Sequence, residues 1–350
     1  MKQLIEVVNF ESLSIKIQSL QTDGIIFLID EFVWELYKDH LSLQALFGKT
    51  RKKIILKMLP RGEKAKCFDV YERVCEEILK EGIHRNFHVI ACGGGAISDI
   101  SGFIASSLLR GLSWSVIPTT LLSMVDASIG GKTGINSKFG KNLIGSFHMP
   151  DHVWLNPLFL ETLPKIEGLN GYGEVLKYSF LDRTIKESLL NSKSKIGEMI
   201  LLCANYKSSL VEEDFKEKGP RKYLNLGHTF GHAFEKMHSI SHGEAVYWGM
   251  RLLFHIFERE DLLKECDDMV NELSLPFGKP PWISNIHKSS SFVNDIMSFV
   301  KRDKKAISEK EIELVFINED RDPYLVALDF KTIESKLEVF FKEIHVGLRE

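Results

Sequence analysis

Histidines cluster between Arg221 and Glu244, where the chain reads RKYLNLGHTFGHAFEKMHSISHGE. Four of the chain's twelve histidines lie here: His228, His232, His238 and His242. His228 and His232 stand four residues apart, so on a helix they share one face, and two imidazoles at that spacing can grip one metal ion. His242 follows a short non-periodic break and opens a second helical pattern. A lone histidine on an amphipathic helix is usually core or surface. This group is flanked by Gly227, Gly231 and Gly243. Glycine lets helices and ligands approach closely, and a hydrophobic core alone would not call for it here. A further donor comes from GYGEVLKYSF, Gly171–Phe180, where Glu174 and Lys177 stand at i and i+3 among Val175, Leu176, Tyr178 and Phe180. Such neighbours bury both charges, and buried charges need partners or a metal. Glu174 with His228 and His242 gives one carboxylate and two imidazoles with positions left open, the composition of a catalytic zinc site.

Two glycine-rich stretches add a second chemistry. GGGAISDISGF, Gly93–Phe103, sits where an apolar strand pattern becomes a helical one. Such a turn gathers backbone N–H groups at a helix N-terminus and suits a pyrophosphate, with Gly94, Gly95 and Asp99 beneath it. Thr119 and Thr120, after the next strand, offer further hydroxyl donors, and Glu63 and Lys66 are placed to meet a ribose. The expected ligand is a dinucleotide. SIGGKTGINSKFGKNLIG, Ser128–Gly145, carries Lys132, Lys138, Lys141 and Asn142 with no acid, and Asp126 just precedes it. Spaced lysines on a glycine-rich segment suit an anionic ligand, although a surface hairpin would read similarly.

Positioning these residues requires particular elements. Gly24–Asp30, Lys53–Leu59, His88–Cys92 and Ser113–Pro118 read as buried strands, alternating with helical patterns at Phe32–Leu46, Lys66–Gly82 and Ile97–Leu109. Strand–helix alternation at these lengths predicts an α/β domain with a parallel sheet. From about Asn156 helices take over, at Ile166–Leu181, Ile196–Asp214, Tyr223–His238, Glu244–Glu258, Phe292–Lys301 and Phe330–Ile344, with one stray strand at Ile312–Ile317. The expected organisation is a nucleotide-binding α/β domain over residues 1–165 and an α-helical metal- and substrate-binding domain over 166–350.

Composition narrows the class. The 350 residues are 44% hydrophobic and 27% charged with a net charge of −3, which argues against a nucleic-acid binder. No apolar run is long enough to span a bilayer, and acids in the first apolar stretch argue against a signal peptide. Five cysteines without a CxxC pair read as reduced thiols in a cytoplasmic protein.

Taken together, GGGAISDISGF, RGLSWSVIPTTLLSMVDASIGGKTGIN, GKNLIG, FLETLP, GEVLKY, LNLGHTFGHAFE, HGEAV and DKK resemble the 3-dehydroquinate synthases and the wider sugar-phosphate cyclases. The resemblance implies a nucleotide-binding α/β domain followed by a helical metal domain. It implies Glu174, His228 and His242 as ligands of one divalent metal, zinc first and cobalt second, with His232 moved to a substrate position. Lys132, Lys141, Asn142, Lys177, Lys207, Arg221, Asn225 and one of Lys304 and Lys305 match substrate-pocket positions. Asp126 matches a residue near the nicotinamide and the reacting hydroxyl, and Glu217 another active-site acid. Phe159 and Thr162 match positions lining the nucleotide. Arg110 matches an arginine contributed across a homodimer interface. The implied reaction converts 3-deoxy-D-arabino-heptulosonate 7-phosphate, a sugar phosphate acid, to 3-dehydroquinate and phosphate. Its steps are transient NAD-dependent oxidation, β-elimination of phosphate, reduction, ring opening and intramolecular aldol closure. A sister cyclase acting on sedoheptulose 7-phosphate or glucose 6-phosphate shares the scaffold, as does a metal-dependent polyol dehydrogenase. Ser98 stands where the family commonly has glycine, and Ile166 where it commonly has arginine.

Overall fold

The computed structural model describes residues 3–42, 45, 46, 48, 52–191, 195–283, 289–303 and 305–347. They divide into two compact units, Met1–Gly168 with Lys195–Lys216, and Leu169–Ser194 with Glu217–Glu350.

The first unit is built on strands β1 Leu4–Val7, β2 Gly24–Asp30, β3 Lys53–Leu59, β4 Phe87–Gly93, β5 Ser113–Pro118 and β8 His152–Leu155. They pair in the order β1-β8-β5-β4-β2-β3, every pair parallel. β2 (GIIFLID) and β4 (FHVIACG) are buried at every residue, as a strand covered on both faces must be. The helices are α1 Phe10–Ser19, α2 Glu31–Leu41, α3 Phe68–Leu79 and α4 Gly95–Ser107. Asp30, the last residue of β2, caps α2 by accepting the N–H groups of Phe32 and Val33. From β2 the chain moves to β3 on one side, and from β4 to β5 on the other. In such sheets ligands bind outside the carboxyl ends of the strands where the order reverses, here at Asp30 and Gly93. β6 Lys132–Ser137 and β7 Gly140–Phe147 form an antiparallel hairpin, so the lysine-rich stretch is ordered structure packed on α4.

Helix α7, Ile196–Glu213, also belongs to the first unit, where it packs on β1 and on the turn Ser123–Ala127. Sequence periodicity marks this helix but carries no information on which unit it joins.

The second unit holds most of α5 Lys165–Leu181, then α6 Arg183–Leu190, α8 His228–His238, α9 His242–Ile256, α10 Glu260–Glu272, α11 Ser289–Val300 and α12 Phe330–Gly347. The apolar run near Ile312 is not a stray strand. β9 Glu311–Ile317 pairs antiparallel with β10 Pro323–Asp329 along its full length. The helix expected over Tyr223–His238 is interrupted: Pro220–Asn225 is a 3-10 turn, Gly227 takes a left-handed φ of 75°, and α8 begins at His228. All five cysteines are free thiols. Among the described residues no helix is long and apolar enough to cross a membrane.

Candidate functional site

In the second unit, glycines let three helices meet at backbone distance. A Cβ on Gly173 of α5 would overlap the carbonyl of Gly243 at the start of α9, and one on Gly243 would overlap the carbonyl of Asn170. On α8, a Cβ on Gly231 would lie 2.9 Å from the Ala245 carbonyl oxygen. Asn170 Oδ1 accepts the Gly243 N–H at 2.6 Å, which fixes the N-terminus of α9 against α5. Glu174, one residue past Gly173, therefore reaches the first side chain of α9.

Glu174 is fully buried, and its Oε1 faces His242 Nε2 at 3.2 Å and His228 Nε2 at 3.3 Å. Its other oxygen contacts the buried Lys177 ammonium, which also lies 4.6 Å from the centre of the Tyr178 ring. One donor atom from each of Glu174, His228 and His242 lies within 4.8 Å of the others. Each imidazole is oriented from behind: His228 Nδ1 donates to the Leu226 carbonyl at 3.1 Å, and His242 Nδ1 to Glu235 Oε2 at 3.2 Å. With both Nδ1 atoms so engaged, both Nε2 atoms point at one carboxylate oxygen, and this donor set fits a divalent cation.

Burial and these contacts set the charges of the three groups. Burial pushes the Glu174 carboxyl up, but Lys177 and the two imidazoles overcome it and hold the group well below the usual range. Burial lowers His228 to about 4 despite Glu174. Burial acts the same way on His242, but hydrogen bonds to Glu174 and Glu235 raise it to about 10.

His232 is not among the converging donors. Its ring centre lies 5.5 Å from that of His228, and its Nδ1 faces Asp303 Oδ2 at 3.7 Å. Burial would raise the Asp303 carboxyl, but His232 and Lys305 hold it low. Four-residue spacing put both imidazoles on one face, as expected, yet only His228 meets Glu174. Asn225 donates to Glu217 Oε1 at 2.8 Å. Arg221 is 1% exposed. Lys304 lies outside the described residues.

In the first unit the strand–glycine–helix junction is as anticipated. Gly94 caps α4, and a Cβ on it would approach Thr120 Cγ2 at 3.1 Å, while one on Gly95 would lie 2.9 Å from Ala127 Cβ. The Thr119 N–H donates to the Gly93 carbonyl at 3.0 Å, tying the ends of β4 and β5 together. The Thr120 hydroxyl bonds Ser123 at 2.9 Å and accepts its N–H at 3.1 Å, so it stabilises the turn. That turn, Ser123–Ala127, is π-helical and carries Asp126, and π turns recur at functional sites. Lys207 of α7 bonds the Asp126 carboxylate at 2.9 Å and its backbone carbonyl at 2.8 Å.

Buried Lys66 bridges Asp99 Oδ2 at 2.6 Å and Asn142 Oδ1 at 2.5 Å. Glu63 accepts from Asn136 Nδ2 at 2.7 Å, and Asn136 Oδ1 accepts the Asn142 N–H at 3.0 Å. Glu63, Lys66, Asp99 and Asn142 are thus one network. Lys132 and Lys141 are exposed on the hairpin. Arg110 is exposed in a left-handed conformation, φ 69°. Phe159 was expected to line the nucleotide. It is 2% exposed and makes edge-to-face contacts with Phe10 and Tyr37. Thr162 bonds the Tyr37 hydroxyl at 2.8 Å.

Burial raises the Asp99 carboxyl to about 6 from 3.8, against the pull of Lys66. Between those values the folded state keeps a proton that the unfolded state gives up, so this group makes stability fall as pH rises. Denaturant midpoints measured across that window should show the decline in wild type and lose it in Asp99→Asn. A slope surviving in the variant would assign it to another group.

Glu235 is the functional contact that sequence reading missed. It lies seven residues past His228 on α8, hence on the same face, and that spacing could have found it.

Known proteins of one family resemble this chain. The family profile for the 3-dehydroquinate synthase N-terminal region matches residues 56–170, and that for the 3-dehydroquinate synthase C-terminal region matches 171–306. A 3-dehydroquinate synthase of Staphylococcus epidermidis is 38% identical over 333 residues, covering 90% of each chain. The crystal structure of 2-deoxy-scyllo-inosose synthase complexed with carbaglucose-6-phosphate, NAD+ and Co2+ has a TM-score of 0.77 at 21% identity, covering 96% of each chain. The 2-epi-5-epi-valiolone synthase of Streptomyces hygroscopicus subsp. jinggangensis 5008, with NAD+ and Zn2+ bound, has a TM-score of 0.79 at 23% identity over 98% of each chain. Those two likenesses speak to fold. The two profiles together span most of the sequence and the curated relative nearly all of it, so this chain belongs to the 3-dehydroquinate synthase family.

Proposed function

We propose that this chain converts 3-deoxy-D-arabino-heptulosonate 7-phosphate to 3-dehydroquinate and phosphate, with NAD and one divalent metal, zinc in the first place, as resident cofactors. The observation that carries this reading is the Glu174–His228–His242 donor set, gathered on a fully buried carboxylate, in a chain of that family. When bound, the cofactors supply a reversible hydride acceptor and Lewis-acid polarisation of substrate oxygens.

The chain's own residues do the rest. Gly94 and Gly95 present backbone N–H groups at the start of α4 to the NAD pyrophosphate, beside Thr119, with the Glu63–Lys66–Asp99 network holding the ribose end. Asp126, pinned by Lys207 at side chain and backbone, is the carboxylate assigned to the reacting hydroxyl. His232, steadied by Asp303, and Asn225, steadied by Glu217, are assigned to the phosphate. Arg221, Lys177, Lys132, Lys141 and Lys207 supply positive charge for a substrate bearing both a phosphate and a carboxylate; the planar fork of arginine suits either anion. Asn142 and one of Lys304 and Lys305 are further substrate contacts in this reading. Arg110, exposed and left-handed, is assigned to the partner copy of a homodimer. The compartment is the cytoplasm, in keeping with the free thiols.

Gly95→Val tests the nucleotide site. A branched side chain there should abolish NAD binding in a titration, and unchanged affinity would place the nucleotide elsewhere. The reaction itself is tested by phosphate release from the heptulosonate phosphate with NAD present, which should proceed without net build-up of NADH. Accumulating NADH would point to a polyol dehydrogenase. Sedoheptulose 7-phosphate lacks the carboxylate and should be turned over far more slowly; equal turnover would replace the reading by a sister cyclase. A charge-assisted contact is worth about 1.5–3 kcal/mol, so Arg221→Ala should cost roughly ten- to a hundredfold in kcat/KM for the heptulosonate phosphate.

A further inference from the structure

We infer that Glu235 is a positioning residue for the metal centre: it fixes His242 as the Nδ1–H tautomer and aims the Nε2 lone pair at the metal. The inference rests on the metal site proposed above. It starts from an asymmetry between the two imidazole ligands. His228 opens α8 directly after the left-handed Gly227, so its Nδ1 falls back on the carbonyl of Leu226, two residues away. Its orientation is set by its own chain. His242 opens α9 after Ser241, and its Nδ1 reaches across to a different helix, to Glu235 Oε2 of α8 at 3.2 Å. Its orientation depends on a side chain that nothing else in the donor set replaces.

The geometry leaves one arrangement of hydrogens when a cation is bound. An ionised carboxylate only accepts hydrogen bonds, so the hydrogen of His242 must sit on Nδ1, and Nε2, 3.2 Å from Glu174 Oε1, is the free donor. Glu235 is 24% exposed, partly shielded from water, so its hydrogen bond is not simply exchanged for solvent. Being anionic, it also makes the imidazole a better donor than the neutral carbonyl behind His228 can. Helix α8 thus contributes twice: His228 as a ligand and, two turns on, Glu235 as the orienter of the ligand from α9. The close crossing of the two helices at Gly231 and Ala245 brings Glu235 within reach.

The test is zinc affinity, measured by competition with a chromophoric chelator on the full chain, with the visible spectrum of the cobalt-substituted protein as a second readout. Groups behind metal ligands typically contribute about 10- to 100-fold in affinity. Glu235→Ala should weaken zinc by that factor. Glu235→Gln keeps an acceptor oxygen and loses only the charge, so it should recover most of the affinity while shifting the cobalt bands. A purely structural Glu235 would lower the melting temperature of both variants and leave the zinc affinity of the folded protein unchanged, which overturns the inference. Should Glu235→Ala fail to fold, Glu235→Gln decides: zinc affinity and cobalt bands both equal to wild type overturn it. A wild-type protein that binds neither metal removes the metal site as well as this role, whereas a wild type that binds zinc no tighter than Glu235→Ala removes only the role.

Discussion

Glu174→Ala is expected to lose the metal and to destabilise the fold at once. Glu174 is fully buried and Lys177 is 1% exposed, and the two are in contact. Removing one partner of a buried pair costs about 3–5 kcal/mol, because the other charge stays behind. On the ligand set proposed above the metal should leave with this carboxylate, and turnover should fall with it. His228→Ala separates the two effects. It removes a ligand but keeps the Glu174–Lys177 pair, so elemental analysis should show metal loss with the denaturation midpoint largely retained. The double variant Glu174→Ala with Lys177→Met should regain much of the stability and none of the metal. Full metal occupancy in either single variant would sink the donor assignment.

Gly173→Ala and Gly243→Ala should be the next most damaging changes. The added methyl of each meets a backbone carbonyl of the opposing helix well inside van der Waals contact, and no side chain can rotate aside. Overpacking of ordinary cores costs about 1–3 kcal/mol, and a clash with two helix backbones belongs at the upper end or beyond. Separation of α5 from α9 would also pull Glu174 away from His242, so zinc affinity should fall with stability. Gly168 serves as the control: it lies in the same helix α5, and a Cβ there meets nothing within 4 Å. Replacing an unstrained glycine by alanine stabilises by about 0.4–1 kcal/mol, so Gly168→Ala should melt at or above the wild-type temperature. If Gly173→Ala did the same, close helix approach would not be what those glycines provide.

Much of the architecture was legible because its central strands are built on short apolar runs. The bounds expected for Gly24–Asp30, Lys53–Leu59 and Ser113–Pro118 are those observed. Strands β1 and β8 escaped notice because they are four residues each, too short for periodicity to register. β10 opens on a proline and alternates in exposure, which reads as loop when its partner is unknown. At the site, residue types singled out Glu174, His228 and His242, and the structure brings these three together. His232 shows the limit of spacing: it tells which face a side chain leaves from, not what stands opposite. Glu235 and the Asp126–Lys207 pair depend on contacts between distant segments, and a sequence read in windows does not contain them. The ring contacts of Phe159 with Phe10 and Tyr37 likewise join segments far apart in the chain.

Helix α7 has a consequence for how the molecule is made. The first unit takes residues up to 168, releases the chain to the second unit, and recovers it at 195–216. Lys207, which pins Asp126, lies in the recovered segment. During synthesis, domains generally fold as units from the N-terminus. Here the nascent first unit must wait, with β1 and the Ser123–Ala127 turn uncovered, until α7 has emerged from the ribosome. A truncation after residue 168 would reproduce that waiting state permanently, and one after residue 216 would carry the α7 that ends it.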